Sequence, residues 1–194
     1  KTRLLGDYNY NNITAASAMA LNIGIEKEKI AGAVESFKGV RRRQQLIYDK
    51  GNIKIYEDFA HHPTAIKYYL DTMKKHYSDS IIWAVYEPRS ATSRRNIFQN
   101  ELPSSFDSAD RIIIKNPYKP DGIPEDERLN LDKIMDDINR KSQRGIAFNN
   151  VEDIIKYIID NINFSQKNVI SIMSNGGFDG IYEKIKVEFI KFDQ

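Results

Sequence analysis

Residues 56–66, YEDFAHHPTAI, carry the acidic and imidazole side chains that are best placed to do chemistry in this sequence. A run of β-branched and aromatic residues leads into two acids and a His-His pair, and Pro63 then stands at a helix start. This order predicts a strand, a polar loop and a helix, the arrangement in which α/β proteins bind ligands. Asp58 could accept hydrogen bonds from sugar hydroxyls, and a neutral His61 or His62 could position a ligand or move a proton.

The same segment has a plainer interpretation, in which Asp58 caps the following helix and the two histidines only pack. Taken alone, the segment does not decide between ligand binding and this structural role. A metal site is disfavoured, because a pair of adjacent histidines would need two further ligands.

A second polar segment, EPRSATSRR at residues 87–95, directly follows the apolar run IIWAVY. Its three arginines and three hydroxyl side chains suit the binding of carboxylates or phosphates, because a guanidinium matches these anions with two parallel hydrogen bonds. The position at the end of a predicted buried strand favours this role over a solvated basic loop. We therefore expect Arg89, Arg94 and Arg95 to bind a ligand.

Residues 173–180, MSNGGFDG, lie between the last predicted strand and the last predicted helix. Glycines here let backbone amides approach an anion at a helix N-terminus, which makes Asn175, Gly176 and Gly177 candidates for a binding site. The alternative is a turn in which glycine only allows close packing of strand and helix. The segment is not a GxGxxG fingerprint, so it does not by itself indicate a dinucleotide site.

Two further features lie nearer the beginning of the sequence. Asn9 and Asn12 flank a predicted helix start, where asparagine commonly caps and where its amide can also bind an adenine edge. Residues 41–43 are consecutive arginines, at which the composition changes and a domain boundary is predicted. A hinge there could bring one arginine into a neighbouring site, although a run of charges is more often solvated.

The composition bounds the class of protein. The 194 residues suffice for one full domain and part of another, and their 41% hydrophobic and 29% charged content is typical of soluble globular proteins. No apolar run approaches the roughly 20 residues that span a bilayer. The absence of cysteine excludes disulfides and thiolate metal sites, and a net charge of +2 gives no support for nucleic-acid binding. Because the first residue is Lys1, we expect the chain to be part of a longer protein.

Alternating strand and helix patterns predict the fold. Two helices are expected over 12–23 and 26–37, and a hairpin over 44–56 follows. The later strands are expected at 81–86, 111–115, 145–148 and 168–173, and the later helices at 63–77, 95–102, 129–142, 151–161 and up to about 192, with a loop over 116–128. This pattern is typical of an α/β, Rossmann-like, doubly wound and mainly parallel sheet with an N-terminal hairpin, preceded by a short helical tail.

Taken together, these segments resemble the Mur ligase family. The strings GDYNYNN, FKGVRRRQQ, YEDFAHHPTAI, EPRSATSRR and MSNGGFDGIYEKI occur in the order and spacing of those enzymes, over essentially the whole chain. The resemblance implies that residues 1–40 are the end of the family's central ATPase domain and that residues 41–194 are its C-terminal Rossmann-like domain. It also implies that the chain has no ligase activity alone, since the phosphate-binding GxxGKT/S loop and the family's metal ligands are expected upstream.

The reaction implied by the resemblance is ATP-dependent amide formation through an acyl phosphate, with Mg2+ and in the cytoplasm. The chain is most similar to the branch of the family that joins the tripeptide L-Ala-γ-D-Glu-meso-diaminopimelate to UDP-N-acetylmuramate in peptidoglycan recycling. Neither nucleic acid nor a membrane is an expected partner. Two alternatives stay open: the L-alanine-adding ligase of the same family, and a non-catalytic module that binds a nucleotide or a peptide.

The resemblance also implies roles for residues on the nucleotide side. Asn9 and Asn12 match asparagines that lie beside adenine, and Asp58 matches the aspartate at the nucleotide ribose. Arg43 matches an arginine near the hinge that reaches the ATP phosphates, so it is expected both to bind the cofactor and to act in catalysis.

On the peptide side, the roles depend on charge and location. His61 and His62 fall beside the ribose position and face the expected cleft, with His62 taken as catalytic and His61 as substrate-binding. The other expected substrate-binding residues are Arg89, Arg94, Arg95, Asn175, Gly176 and Gly177. The sequence departs from the family at four positions: Tyr8 replaces a usual histidine, Glu57 a common aspartate, Ala91 a usual asparagine and Asp179 a frequent glycine.

Overall fold

The computed structural model describes residues 1–117, 122–142 and 144–192. The chain divides into two compact units, Lys1–Gln45 and Leu46–Gln194, which we call the N-terminal unit and the C-terminal unit. None of the helices in the described ranges combines the length and the apolar composition needed to cross a membrane. The assignment of residues 1–40 and 41–194 to two different family domains stays a prediction.

The N-terminal unit contains helices α1 (Asp7–Asn22) and α2 (Lys27–Ser36). Helix α1 begins one turn before the predicted start at Asn12, because the Tyr10 amide already bonds to the Gly6 carbonyl over 3.2 Å. Polar residues fill this first turn, so the apolar period that identifies a helix in sequence is missing from it. The far end is as predicted: Gly24, with φ of 87°, ends the helix.

A six-stranded sheet forms the centre of the C-terminal unit, in the order β1-β2-β6-β3-β4-β5. Its strands are β1 (Gln45–Lys50), β2 (Ile53–Asp58), β3 (Ile81–Tyr86), β4 (Arg111–Lys115), β5 (Gly145–Phe148) and β6 (Asn168–Met173). Strands β2, β6, β3, β4 and β5 pair in parallel. A two-residue turn joins β1 to β2, and such a short connection allows only the antiparallel pairing of a hairpin.

Helices cover both faces of this sheet. They are α3 (Pro63–His76), α4 (Leu131–Ser142), α5 (Val151–Asn161) and α6 (Ile181–Lys191). Side chains of β3 alternate between the faces, with Ile82 and Ala84 packed in the core beneath α3 and α4, and Trp83 and Val85 in the core beneath α5 and α6. Because both faces of β3 are buried, its sequence is one continuous apolar run. The predicted doubly wound, mainly parallel α/β sheet with its hairpin is confirmed.

The order of the strands opens a crevice beside β6. Helix α6, which follows β6, packs on one face, whereas the connection that follows β3 packs Phe106 into the core of the other face. Neighbouring strands whose connections leave toward opposite faces form a ligand crevice beyond their carboxyl ends. The register places Met173 of β6 level with Asp58 of β2 and Tyr86 of β3, so the loops that follow begin at the same edge.

One predicted helix is wrong. Residues 95–102 form only a short 3-10 turn at Asn96–Phe98, and a second 3-10 turn follows at Pro103–Phe106. Pro103 cannot continue a helix from the preceding turn, and the Asn96 side chain bonds instead to the Asp126 carbonyl over 2.7 Å. In the predicted loop over 116–128, a 3-10 turn occupies Glu125–Glu127, while residues 118–121 lie outside the described residues.

Candidate functional site

A buried glutamate, Glu87, lies at the carboxyl end of β3 and joins the polar side chains of this edge. Its side chain has no exposed surface, and Oε2 accepts a hydrogen bond of 2.8 Å from Ser174 Oγ. Lys115 Nζ lies 3.4 Å from Oε1, and Arg89 Nη1 lies 3.6 Å from Oε2. A buried carboxylate needs such partners to offset the loss of water. Glu87 therefore ties the ends of β3, β4 and β6 together.

Arg89 lies directly on the backbone of Gly176. A Cβ atom built on Gly176 would overlap Arg89 Cδ and Nε, so a larger residue would displace the arginine. The Gly176 amide donates to Ser174 Oγ over 2.9 Å, and the same hydroxyl donates to Glu87. The arginine side chain is 25% exposed, so its guanidinium is held in place and still reaches solvent. Glycine is required here by close approach and not by a special φ angle.

Lys115 forms a second ion pair at the same edge. Its side chain is 7% exposed, and Nζ lies 2.9 Å from Asp179 Oδ2. The Asp179 side chain is 45% exposed, so it is the outer partner of the lysine. We call Glu87, Arg89, Lys115, Ser174 and Asp179 the edge cluster. It brings two cations to the crevice, each held by a carboxylate of the chain.

Asn175 adds an acceptor beside the edge cluster. Its Oδ1 atom is buried and has no hydrogen-bond partner among the described residues. Buried polar atoms in proteins are nearly always hydrogen-bonded. An amide oxygen without a partner, in a loop at a strand end, therefore suits an N–H or O–H group of a ligand.

Asp58 ends β2 at this edge and organises the turn that follows. Its Oδ1 accepts a hydrogen bond of 2.8 Å from the Ala60 amide, and its backbone carbonyl accepts one of 3.2 Å from the Ser174 amide. Asp58 does not cap α3, which corrects the plainer interpretation of its sequence position. The carboxylate is nearly buried, with 8% of the residue exposed.

His61 lies in the same turn, next to Asp58. Its Nδ1 is 3.0 Å from the Phe59 carbonyl, and the two rings meet edge to face at 5.4 Å. The Tyr86 hydroxyl donates to the His61 carbonyl over 3.1 Å. Burial raises the pKa of Tyr86 above its ordinary value, so the hydroxyl keeps its proton and the turn stays fixed to β3.

His62 is the N-cap of α3. Its Nδ1 accepts a hydrogen bond of 3.3 Å from the Thr64 amide, and Pro63 occupies the first helical position. The ring packs edge-on against Phe98, with centroids 4.4 Å apart. One nitrogen is therefore used for capping, and a proton-transfer role of His62 stays a prediction.

The capping role predicts different effects of two His62 substitutions. His62→Ala is expected to destabilise the C-terminal unit by about 1 kcal/mol, because the Thr64 amide loses its acceptor. His62→Asn keeps a good N-cap and is expected to retain nearly all of the stability. Urea unfolding followed by the fluorescence of Trp83, the only tryptophan, measures both. Equal losses in the two variants would contradict the capping role.

The other two arginines of the 87–95 segment hold the loops around it. The Arg95 side chain forms an ion pair with Glu127, and its backbone forms an isolated antiparallel β-bridge with Arg128. The Arg94 carbonyl accepts a hydrogen bond of 3.0 Å from the Leu129 amide. Arg94 Nε also points back to the Ser90 carbonyl at 3.4 Å. Of the three predicted arginines, the structure thus brings Arg89 into the edge cluster and gives Arg95 an acidic partner elsewhere.

In the N-terminal unit, Gln44 holds Asn9 at the start of α1. Asn9 Nδ2 donates to the Leu5 carbonyl over 2.8 Å and to Gln44 Oε1 over 3.1 Å, and Gln44 Nε2 donates to the Tyr8 hydroxyl. Asn12 is exposed and lies one turn further along the same helix face. Both predicted asparagines therefore share a face of α1, and their contact with adenine stays a prediction.

Arg43 is exposed in a tight turn between α2 and β1. Its amide donates to the Val40 carbonyl over 3.1 Å. The neighbours Arg42 and Gln44 have left-handed backbones with φ of 61° and 48°. Non-glycine residues in this region of the Ramachandran plot are strained. The phosphate-binding role of Arg43 stays a prediction.

Comparison with known proteins identifies the family. The family model described as "Mur ligase, glutamate ligase domain" matches residues 42–176, which is more than half of the chain. The chain belongs to the Mur ligase family. Its resemblance to that family in sequence is confirmed.

Two curated Mur ligases are similar to this chain and differ in the substrates that their names give. The UDP-N-acetylmuramate--L-alanine ligase of Brachyspira hyodysenteriae is 31% identical over 158 residues, which cover 81% of this chain and 33% of the relative. The UDP-N-acetylmuramate--L-alanyl-gamma-D-glutamyl-meso-2,6-diaminoheptandioate ligase of Escherichia coli is 30% identical over 196 residues. The match covers 95% of this chain and 38% of the relative. The chain thus spans 33% and 38% of the length of these two relatives.

A solved Mur ligase shares the fold. The crystal structure of a murein peptide ligase from Psychrobacter arcticus superimposes with a TM-score of 0.68 and 35% sequence identity. The match covers 96% of this chain and 38% of that protein.

Mur ligases use ATP and Mg2+, and the residues of this chain fit the metal poorly by themselves. No group of three or more histidine, aspartate or glutamate side chains converges on a metal site within the described part of the chain. The described residues of this Mur ligase chain therefore do not form a magnesium site by themselves.

Four of the five members of the edge cluster were not predicted as site residues from the sequence of this Mur ligase chain: Glu87, Lys115, Ser174 and Asp179. Glu87 stands inside the segment chosen for its arginines, and Lys115 ends the apolar strand RIIIK. A charged residue that directly ends a buried strand is a signal for a site, because it must find a partner at the carboxyl edge. The pairing itself was not visible, since Lys115 and Glu87 are 28 residues apart.

Proposed function

We propose that this chain is the C-terminal portion of an ATP-dependent ligase that joins L-Ala-γ-D-Glu-meso-diaminopimelate to UDP-N-acetylmuramate. The observation that best supports this proposal is the position of Arg89. Its side chain lies between Gly176 and the buried Glu87, and its guanidinium is accessible to solvent. A fixed guanidinium suits a carboxylate. The tripeptide carries several carboxylates away from its reacting amine, whereas L-alanine has a single one close to it.

The peptide side of the proposed site lies at the carboxyl edge of the sheet. Arg89 would bind a carboxylate of the tripeptide, and Asn175 Oδ1, which lacks a partner within the described residues, would accept an N–H of the same ligand. Gly176 and Gly177 would line this pocket. Arg94, Arg95 and His61 are proposed to contact the peptide further out, and Arg95 would have to exchange its partner Glu127 to do so.

The nucleotide side of the proposal uses other residues. Asn9 and Asn12 would lie beside adenine, Asp58 would hydrogen-bond the ribose, and Arg43 would reach the phosphates. For Asp58 the support is its buried position at a strand end, and for Asn9 it is the fixed amide beside Gln44. Residues 1–40 would belong to the central ATPase domain and residues 41–194 to the C-terminal domain.

In the proposed reaction, a lactoyl carboxylate oxygen of UDP-N-acetylmuramate attacks the γ-phosphorus of ATP, and ADP leaves. The free amine of the tripeptide then attacks the carbonyl carbon of the acyl phosphate. The tetrahedral intermediate expels inorganic phosphate, and the amine nitrogen gives up a proton as the amide forms. A cation such as Arg43 would offset the charge of the transferring phosphoryl group, and His62 is the candidate to receive the proton.

The L-alanine-adding reaction is the second candidate function. Its support is the 31% identity to a ligase whose name gives L-alanine, against 30% for the relative whose name gives the peptide. A non-catalytic binding module is the third candidate, and it predicts ligand binding without phosphate release.

A chimera tests the substrate directly. This chain would replace the matched portion of the Escherichia coli relative, and phosphate release would be measured with ATP, Mg2+, UDP-N-acetylmuramate and either amine. We expect release with the tripeptide and none above background with L-alanine, and we expect the chain alone to be inactive. Release with L-alanine only would assign the chain to the other branch. Release with neither, from a folded chimera that still binds the tripeptide, would favour the binding module.

A further inference from the structure

The edge cluster divides into an inner part and an outer part. Glu87 and Lys115 have side-chain exposures of 0% and 7%, and Arg89 is 25% exposed, whereas Asp179 is 45% exposed. The three inner groups carry two positive charges and one negative charge. Asp179 brings the formal charge to zero, and it is the member of the cluster that a solute reaches most readily.

The backbone that carries Asp179 is strained. Asp179 has φ of 46° and ψ of 31°, and the preceding Phe178 has φ of 45°. Two successive non-glycine residues in the left-handed region are uncommon, and such strain is found where a segment binds or switches. The Phe178 ring is fully buried and anchors the turn, so a change of conformation would mainly affect the exposed Asp179.

We propose that Lys115 is a second carboxylate-binding subsite beside Arg89, and that Asp179 fills it when no ligand is bound. A ligand carboxylate would replace the Asp179 carboxylate at the Lys115 ammonium. The formal charge of the group that it forms with Lys115, Glu87 and Arg89 would stay at zero. The inference rests on the peptide-binding function proposed above, because a peptide with several carboxylates offers one to Arg89 and another to Lys115. Asp179 then competes with the substrate from within the chain.

Two substitutions at position 179 test this competition in the chain, by isothermal titration calorimetry with the tripeptide at low ionic strength. Asp179→Gly suits the left-handed backbone, and Asp179→Asn keeps the shape of the side chain without its charge. Both variants are expected to bind the tripeptide about five- to tenfold more tightly than the unchanged chain. This gain is expected if Asp179 leaves the Lys115 subsite open in roughly 10–20% of molecules and the substitution opens it in all of them.

A matched control lies at the opposite edge of the same sheet. Asp79→Asn also removes a carboxylate from a lysine, since Asp79 pairs with Lys167 over 2.6 Å. This variant is expected to bind the tripeptide like the unchanged chain. Lys115→Met combined with Asp179→Gly is expected to lose the gain, with circular dichroism showing that the double variant is folded. An equal gain in Asp79→Asn, or a gain that survives Lys115→Met, would overturn the proposal.

Glutarate, a simple dicarboxylate, separates this inference from the peptide-binding function. Tighter glutarate binding by the Asp179 variants, with no tripeptide binding by any of the proteins, would support the subsite and refute the peptide function. Tripeptide binding that depends on Arg89 and is unaffected at position 179 would support the function and refute the subsite. If the Asp179 variants bind neither ligand more tightly than the unchanged chain, the subsite is refuted.

Discussion

Gly176→Ala is expected to weaken tripeptide binding by about thirtyfold, because the added methyl group takes the space of Arg89 Cδ and Nε. The estimate corresponds to the loss of one charge-assisted contact of about 2 kcal/mol. Isothermal titration of the chain with the tripeptide measures it. Arg89→Ala should cause a similar loss, and the double variant should be no weaker than either single variant, since both changes remove the same contact.

The adjacent Gly177 provides the control for this prediction. A Cβ atom on Gly177 meets no other atom within 4 Å, and its φ of −79° suits any residue. Gly177→Ala leaves Arg89 in place, so it is expected to weaken tripeptide binding far less than Gly176→Ala does, although Gly177 lines the proposed pocket. Equal binding by the two alanine variants would show that the position of Arg89 on Gly176 does not matter for the ligand.

Glu87→Gln is expected to destabilise the C-terminal unit by about 3 kcal/mol, because it leaves the buried ammonium of Lys115 and the guanidinium of Arg89 without their shared counter-charge. The amide still fills the space and can still accept from Ser174, so the loss is electrostatic rather than a cavity effect. Guanidinium chloride unfolding followed by Trp83 fluorescence measures the change, since this tryptophan lies buried in β3.

Asp79→Asn serves as the control for Glu87→Gln as well. The Asp79 carboxylate and its partner Lys167 are 65% and 61% exposed, so water replaces most of what the pair loses. The unfolding midpoint of this variant is expected to stay close to that of the unchanged chain. If Glu87→Gln shifted the midpoint no further than Asp79→Asn does, Glu87 would not be the anchor of the edge cluster.

Much of the C-terminal unit could be predicted because its elements are defined locally. The strands at 81–86, 111–115, 145–148 and 168–173 and helix 151–161 have the predicted bounds, since each is an apolar run or an amphipathic period with a clear end. The helix predicted at 95–102 does not form, because its conformation depends on contacts that are distant in sequence. Side-chain bonds to a distant loop, such as that of Asn96 to Asp126, compete there with helical hydrogen bonds.

The candidate site could be predicted only in outline. The sequence indicated three polar loops, and parallel strands bring such loops to one edge, so their meeting was foreseeable. The contacts within the edge cluster were not, because they depend on register between distant segments. Ser174 and Glu87 are 87 residues apart, and no local pattern shows that Arg89 rests on Gly176 or that Lys115 pairs with both Glu87 and Asp179.

A titration of the 15N-labelled chain with the tripeptide, followed by amide chemical shifts, tests most directly whether the carboxyl edge of the sheet is the peptide site. We expect saturable shifts that cluster at Glu87, Arg89 and Asn175–Gly177, with no comparable shifts on addition of L-alanine at the same concentration. Shifts confined to another part of the C-terminal unit, such as the β1–β2 hairpin, or no saturable shifts at all, would contradict the proposed site.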